Sequence, residues 1–310
     1  MNIVVMGGGT GSTVVLEGLK SIKELNISVI VGMMDDGGSN AVVRDEFGLL
    51  PLSDVRKSIL ALSDANSNEV LRKLFTYRFS NGHSMKGHTL GNLLMIAMTD
   101  ILGSEIEAIE MFKNLFSVRG NVIPVTLDSV RLVAEYDDGS KVVGEHFIDE
   151  PKKHKNIVNF YLDSSAKSNS EAIEVIKRAD YIIIGPGDLY TTLLPNLLVD
   201  GISKAICKSS SKLIYISNLM SKIGQTRNRT QKEIVEIIEK HLCKKLDYIL
   251  INNGRYPKEA LKRYEEEGEH IIDDDLSNGN GRLILRRDLV ANDIIKKDKG
   301  DELARSLVRH

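Results

Sequence analysis

The chain has 310 residues, a formal net charge of −2, 5% aromatic content and no tryptophan. That length suits one large α/β domain or two modest ones, and the near-neutral charge gives no global field for nucleic acid or acidic membrane. Few aromatics argue against stacked recognition of single strands, and two cysteines, Cys207 and Cys243, are too few for a disulfide framework or metal cluster; they read as buried thiols in a reducing cytosol.

Residues 3–6 are apolar on both faces, which predicts a strand inside a parallel sheet at the start of the chain, with no signal-peptide pattern before it. Gly7, Gly8, Gly9 and Gly11 follow at once, with hydroxyls at Thr10, Ser12 and Thr13. Glycines here let backbone N–H groups approach phosphate oxygens. Residues 14–22 have helical spacing, with Val15, Leu16, Leu19 and Ile22 on one side. The start of such a helix aims free N–H groups and a positive dipole end at the glycine loop. A second strand over 27–34 ends at Asp35 and Asp36, before Gly37, Gly38 and Ser39. The whole is the layout of a β-α-β unit that holds a nucleotide phosphate. The dinucleotide pattern G-x-G-x-x-G is incomplete, because its third glycine falls on Ser12. Asp35 and Asp36 stand where such sites place a ribose-binding acid; they could instead hold a metal or merely cap the next segment.

Further along, helices are predicted over 53–62, 71–79, 91–102 and 105–116, the third buried through Leu93, Leu94, Ile96, Ala97 and Ile101. Residues 121–160 change character, with strands over 122–125, 130–136 and 141–146 and a hairpin turn at Asp137–Ser140, which predicts a small antiparallel insertion. Helices over 171–178, 196–205 and 230–241 then alternate with strands over 181–184, 213–216 and 248–251. The region from about 255 to 310 is more charged; its runs Glu265–Glu267 and Asp273–Asp275 read as solvated faces, with a last β region over 282–291 and a closing helix over 301–308. No stretch approaches the roughly 20 apolar residues of a membrane-spanning helix. The expectation is a single cytoplasmic α/β domain over 1–310, Rossmann-like, with a mostly parallel sheet and helices on both faces.

Polar clusters fall where strands end. Gly185-Pro186-Gly187-Asp188 closes 181–184, Pro195 and Asn196 lie just beyond, Ser217-Asn218 closes 213–216, and Asn252-Asn253-Gly254 closes 248–251. Ligands of open α/β sheets bind beyond the carboxyl ends of strands, so these clusters predict one shared crevice with the first loop. His88 and Asn92, in Gly87-His88-Thr89-Leu90-Gly91-Asn92, form a further cluster in which His88 could donate to phosphate, move a proton, or only sit beside a helix start.

Taken in order, these segments resemble the gluconeogenesis-factor (YvcK-like) proteins, related to 2-phospho-L-lactate transferase (CofD-like). The resemblance rests on Gly7-Gly8-Gly9-Thr10-Gly11, Asp35-Asp36-Gly37-Gly38-Ser39, Gly87 to Asn92, Arg119 to Pro124, Arg131 to Glu135, Gly185 to Leu198 and Ser217 to Met220, and it covers most of the chain. It implies a cytosolic bacterial protein that binds UDP-N-acetylglucosamine, UDP-glucose or another diphosphate nucleotide and supports growth and cell shape on gluconeogenic carbon. It admits a homodimer. Its transferase relatives move a phospholactyl group from a guanosine diphosphate donor to a deazaflavin with magnesium. The sequence departs from the family pattern at Asn40-Ala41-Val42-Val43-Arg44, at the turn Pro51-Leu52-Ser53-Asp54, at Lys57 and at Asp188, but it keeps Asp54 and Arg56. A carboxylate at Asp188 would repel phosphate unless a metal or a basic side chain stands between.

Two functions follow. In a regulator that binds nucleotide-sugar, the amides of Gly8, Gly9, Thr10, Gly11 and Ser12 meet phosphate, Asp35 or Asp36 meets ribose or metal, and Asn196 and Asn218 orient the ligand. In a magnesium-dependent phospho-group transferase, Asp35, Asp36 or Asp188 holds the metal and Arg56 or Lys57 neutralises developing charge. Gly37, Ser39, Asp54, His88, Asn92 and Gly187 complete the candidate set. A nicotinamide oxidoreductase is the weakest reading, because no Tyr-x-x-x-Lys or His–Asp pair appears where hydride transfer would need one.

Overall fold

The computed structural model describes residues 1–64, 69–82, 85–151, 155–279 and 281–290. Short β-branched runs build a seven-stranded sheet from β1 (Asn2–Gly7), β2 (Asn26–Val31), β3 (Asn121–Pro124), β7 (Tyr181–Ile184), β8 (Lys212–Ile216), β9 (Tyr248–Asn252) and β10 (Leu283–Arg287). Its order is β10-β9-β8-β7-β1-β2-β3, and every pairing is parallel. Strands of this kind are buried on both faces; Val5, Val29, Ile182, Ile183, Leu213 and Ile249 are fully buried.

The chain starts in the middle of this sheet. It winds outward through β2 and β3, then returns to β7 on the other side of β1 and winds outward again. Right-handed crossovers place the connecting helices of the two halves on opposite faces. Helix Gly9–Lys20 packs on Ser53–Leu62, while Ser170–Arg178 packs on Ile202–Lys208, which in turn meets Gln231–Leu242. The loops after β1 and β7 are thereby neighbours at the point where the winding reverses, the place where such sheets bind ligands.

The insertion is a three-stranded antiparallel sheet, in the order β5-β4-β6, of β4 (Leu132–Tyr136), β5 (Lys141–Val143) and β6 (Ile157–Leu162). It begins at Leu132 rather than 121, because 121–124 is β3 at the edge of the main sheet. Residues predicted as one strand over 141–146 divide at Gly144, whose φ of 109° turns the chain into a short helix, Glu145–Asp149. The single helix predicted over 196–205 likewise divides at Gly201 (φ 92°) into Leu194–Leu198 and Ile202–Lys208. Glu265–Glu267 and Asp273–Asp275 are exposed. The closing helix over 301–308 and the last residue of the predicted 282–291 region lie outside the described residues.

Two further expectations are corrected. Helix Leu90–Leu102 turns Gly91, Asn92, Met95 and Thr99 inward, while Leu94 and Ile101 are exposed, Ile101 by 74%. This helix is apolar nearly all round, so spacing alone cannot phase it, and its small and polar stripe is what fits closely against its neighbours. The two cysteines are exposed rather than buried. Cys207 lies in the last turn of Ile202–Lys208 and Cys243 just past Gln231–Leu242, and helix ends lie at the surface.

At Gly91 a Cβ would lie 2.2 Å from the carbonyl oxygen of Phe75 and 2.7 Å from Cδ of Arg56. Gly91→Ala is expected to cost about 2–3 kcal/mol through overpacking. Urea unfolding should show a lower midpoint at unchanged slope.

Candidate functional site

The first wall of the crevice is the turn from β1 into helix Gly9–Lys20. Gly8 precedes that helix without a side-chain cap, and the first turn carries no acidic residue. The N–H groups there keep their donors for a ligand, with the dipole behind them. The glycines answer separate steric demands. Gly9 has φ 69° with open space where a Cβ would point, while a Cβ on Gly11 would lie 2.5 Å from the carbonyl oxygen of Pro186. On Gly8 it would lie 2.3 Å from a carboxylate oxygen of Asp54.

The second wall is Pro186-Gly187-Asp188 after β7. Asn218, at the end of β8, clamps it from both sides: its Oδ1 accepts from the Gly187 N–H at 2.8 Å and its Nδ2 donates to the Gly187 carbonyl at 3.0 Å. Between the walls lies an open cleft of about 350 Å³, lined by Gly8–Gly11, Pro186–Asp188 and Asn218–Lys222 together with Thr192, Tyr264 and Glu269.

A carboxylate cluster borders this cleft. Asp35 Oδ1 accepts from the Gly37 N–H at 2.9 Å and Asp35 Oδ2 from Asn40 Nδ2 at 2.6 Å. Asp36 Oδ1 accepts from the His146 N–H at 3.0 Å. The short helix of the insertion adds Glu145 and Asp149. Lys222 donates to both oxygens of Asp149 at 2.7 and 2.8 Å and to Asp188 Oδ2 at 2.8 Å. Gln225 Nε2 donates to Asp149 Oδ1 at 2.9 Å, and Gln225 Oε1 accepts from the Tyr190 N–H at 2.8 Å. Burial works against the charge of Lys222, but Asp188 and Asp149 outweigh it and hold the ammonium above its ordinary range. Burial, and then the charges of Asp35, Asp149 and Asp36, push the Glu145 carboxyl up to about 9. Burial also raises Asp35, against its hydrogen bonds.

Of the candidate residues, Gly8, Gly9, Thr10, Gly11, Gly187, Asp188 and Asn218 line one cleft, with Asp54 against Gly8. Asp35, Asp36 and Gly37 adjoin it through the carboxylate cluster, and Ser39 opens helix Ser39–Phe47. Ser12 is buried, and its hydroxyl donates back to the Gly9 carbonyl. Arg56 and Asn92 are buried and bonded to each other. Asn196 is fully buried beside Gly32, donating to the Thr192 carbonyl. His88 belongs to the hairpin between Tyr77 and Leu90, where its carbonyl accepts from the Phe79 N–H, and it does not line the cleft. The basic group beside Asp188 is Lys222. Sequence reasoning missed Glu145, Asp149, Lys222 and Gln225; the only signal for the first two was Gly144, a glycine interrupting a strand pattern.

The 2-phospho-L-lactate transferase CofD family matches residues 3–290. The chain is 39% identical over 301 residues to the gluconeogenesis factor of Bacillus subtilis, spanning 96% of this chain and 94% of that one. It is 38% identical over 307 residues to the gluconeogenesis factor of Listeria innocua, spanning 94% of each. The crystal structure of a UPF0052-family protein from Bacillus halodurans superposes with a TM-score of 0.91 at 34% identity, covering 99% of this chain and 98% of that one. The chain belongs to the CofD family.

Glu145 supplies a test of the cluster. A carboxyl raised from 4.5 to about 9 keeps in the fold a proton that the unfolded chain releases above its own value. Its contribution to stability is full below about pH 4.5 and is lost as pH rises toward 9. Denaturant unfolding of the native chain should weaken across that window, and Glu145→Gln should flatten the dependence. Parallel pH profiles for the two proteins would contradict the assignment.

Proposed function

We propose that this protein is a gluconeogenesis factor that binds a UDP-sugar, UDP-N-acetylglucosamine or UDP-glucose, in the cleft between the β1 and β7 loops, and regulates growth and cell shape on gluconeogenic carbon. The observation that carries this reading is the glycine turn, an uncapped helix start facing a second backbone wall across a cleft of about 350 Å³. Two linked phosphates need donors fixed in place and a close backbone approach, and Gly8 to Gly11 supply both. Gly187 and Asn218 form a wall whose shape is set before any ligand arrives. Tyr264 and Glu269 also line the cleft and are candidates to meet the nucleoside or the sugar.

The carboxylate cluster favours a second reading, a magnesium-dependent phospho-group transferase. Among the described residues no three His, Cys, Asp or Glu side chains come together as a metal cage. Magnesium seldom needs one, since it takes one or two carboxylates and completes its shell with phosphates and water. Asp35 and Asp36 fit that demand; burial and then the neighbouring carboxylates raise Glu145, and a nearby divalent cation would offset the second of these. Magnesium held there would supply Lewis-acid stabilisation of charge on a transferring phosphoryl group. Lys57 pairs with Asp54 at 2.7 Å and keeps that carboxylate from opposing phosphate unscreened.

Calorimetric titration with UDP-N-acetylglucosamine and magnesium should give saturable binding. Gly9→Val should weaken it at least about tenfold, because a branched side chain at φ 69° projects into the cleft. Unchanged affinity would reject the phosphate role of the turn. Release of nucleoside monophosphate when donor, deazaflavin acceptor and magnesium are mixed would select the transferase; tight binding without turnover would select the regulator.

A further inference from the structure

We infer that Arg56 orients the Asp35 carboxylate through a one-way chain of hydrogen bonds, which makes Arg56, Asn92, Ser53 and Asn40 positioning residues of the cleft rather than contacts to its ligand. The chain is continuous. Arg56 Nε donates to Asn92 Oδ1 at 2.7 Å, Asn92 Nδ2 to Ser53 Oγ at 2.8 Å, Ser53 Oγ to Asn40 Oδ1 at 2.8 Å, and Asn40 Nδ2 to Asp35 Oδ2 at 2.6 Å.

Its direction is set by its two ends. A guanidinium only donates, and Asp35 accepts on both oxygens, from the Gly37 N–H and from Asn40 Nδ2. Once Arg56 takes the oxygen of Asn92, the amide nitrogen of Asn92 must face Ser53. The Ser53 hydroxyl, already receiving, spends its proton on the oxygen of Asn40, and the nitrogen of Asn40 is left facing Asp35. No member can turn over without leaving its neighbour facing a like group. Arg56, Asn92 and Asn40 are buried, and Ser53 and Asp35 are half-buried, so little water competes for the links.

The far end is anchored as firmly. Arg56 Nη1 also donates to the Phe75 carbonyl at 3.2 Å, and the missing side chain of Gly91 makes room for the Arg56 stem. The other oxygen of Asp35 is fixed by the Gly37 N–H. Asp35 is therefore held on both oxygens, one by its own turn and one by a guanidinium four links away. An arginine that sequence motifs mark as a charge neutraliser acts instead on the angle of an acid.

The binding consequence rests on the function proposed above; the chain itself does not. Two readouts on Ser53→Ala and Ser53→Thr keep them apart. Side-chain amide exchange by NMR, with no ligand, should find Asn40 and Asn92 protected in the native protein. Exchange at Asn40 should quicken at least about tenfold in Ser53→Ala and recover in Ser53→Thr, which keeps the hydroxyl. Equal protection in all three proteins would overturn the chain. Calorimetry with UDP-N-acetylglucosamine and magnesium should show about a tenfold loss for Ser53→Ala and recovery for Ser53→Thr. Native affinity in Ser53→Ala would overturn the positioning role, even with Asn40 exchange quickened. A native protein that binds no UDP-sugar would overturn the proposed ligand, and the exchange result would still decide the chain.

Discussion

The contact on which the site depends is the approach of Gly11 to the carbonyl of Pro186, so close that no side chain fits between them. It joins the first loop of the chain to a loop some 175 residues later. Strand order causes it. With β1 and β7 adjacent in a parallel sheet and the chain winding away from them in opposite directions, the two loops at their carboxyl ends have no other element between them. Each wall is also braced from outside, the first by Asp54 against Gly8 and the second by Asn218 on Gly187. The shape of the cleft is thus a property of the sheet.

Charge is the second constraint. Asp35, Asp36, Glu145 and Asp149 approach the cleft from two separate units, the main sheet and the antiparallel insertion. Burying several carboxylates together is unfavourable unless some are neutral or paired. The protein uses both remedies. Glu145 holds a proton, and Lys222 joins Asp149 of the insertion to Asp188 of the β7 loop. That ion pair is also a structural strut, because it ties the insertion to the wall of the cleft. Removing Lys222 would leave two half-buried carboxylates without the cation they share, which is where such pairs matter most.

Much of the architecture was legible in the sequence. Strands β1, β2, β7 and β9 are short, largely apolar runs that end in or just before glycine or asparagine, and that pattern reports burial on both faces and a turn beyond. The parts that stayed hidden had no period to reveal them. Glu145 reads as the tail of a strand over 141–146, with Asp149 just beyond it, until Gly144 bends the chain, and Lys222 and Gln225 lie in a polar stretch whose partners are 34 to 76 residues away. Helix Leu90–Leu102 concealed its inner face by being apolar on most sides. Arg56 was noticed as a charge, but only the fold shows that Asn92 and Phe75 occupy it.

The departure at Asp188 shows how local sequence and local field are reconciled. A carboxylate in a phosphate-facing loop looks unfavourable when the loop is read alone. Lys222 takes that charge and that of Asp149 together, so its ammonium is engaged on both sides and offers little to a ligand as a bare cation. Attraction for an anion then falls to groups that never ionise, the N–H groups and dipole at the start of helix Gly9–Lys20. Their strength does not depend on protonation, and their positions are fixed by Gly8, Gly9 and Gly11. A cleft built this way discriminates by oxygen geometry more than by net charge.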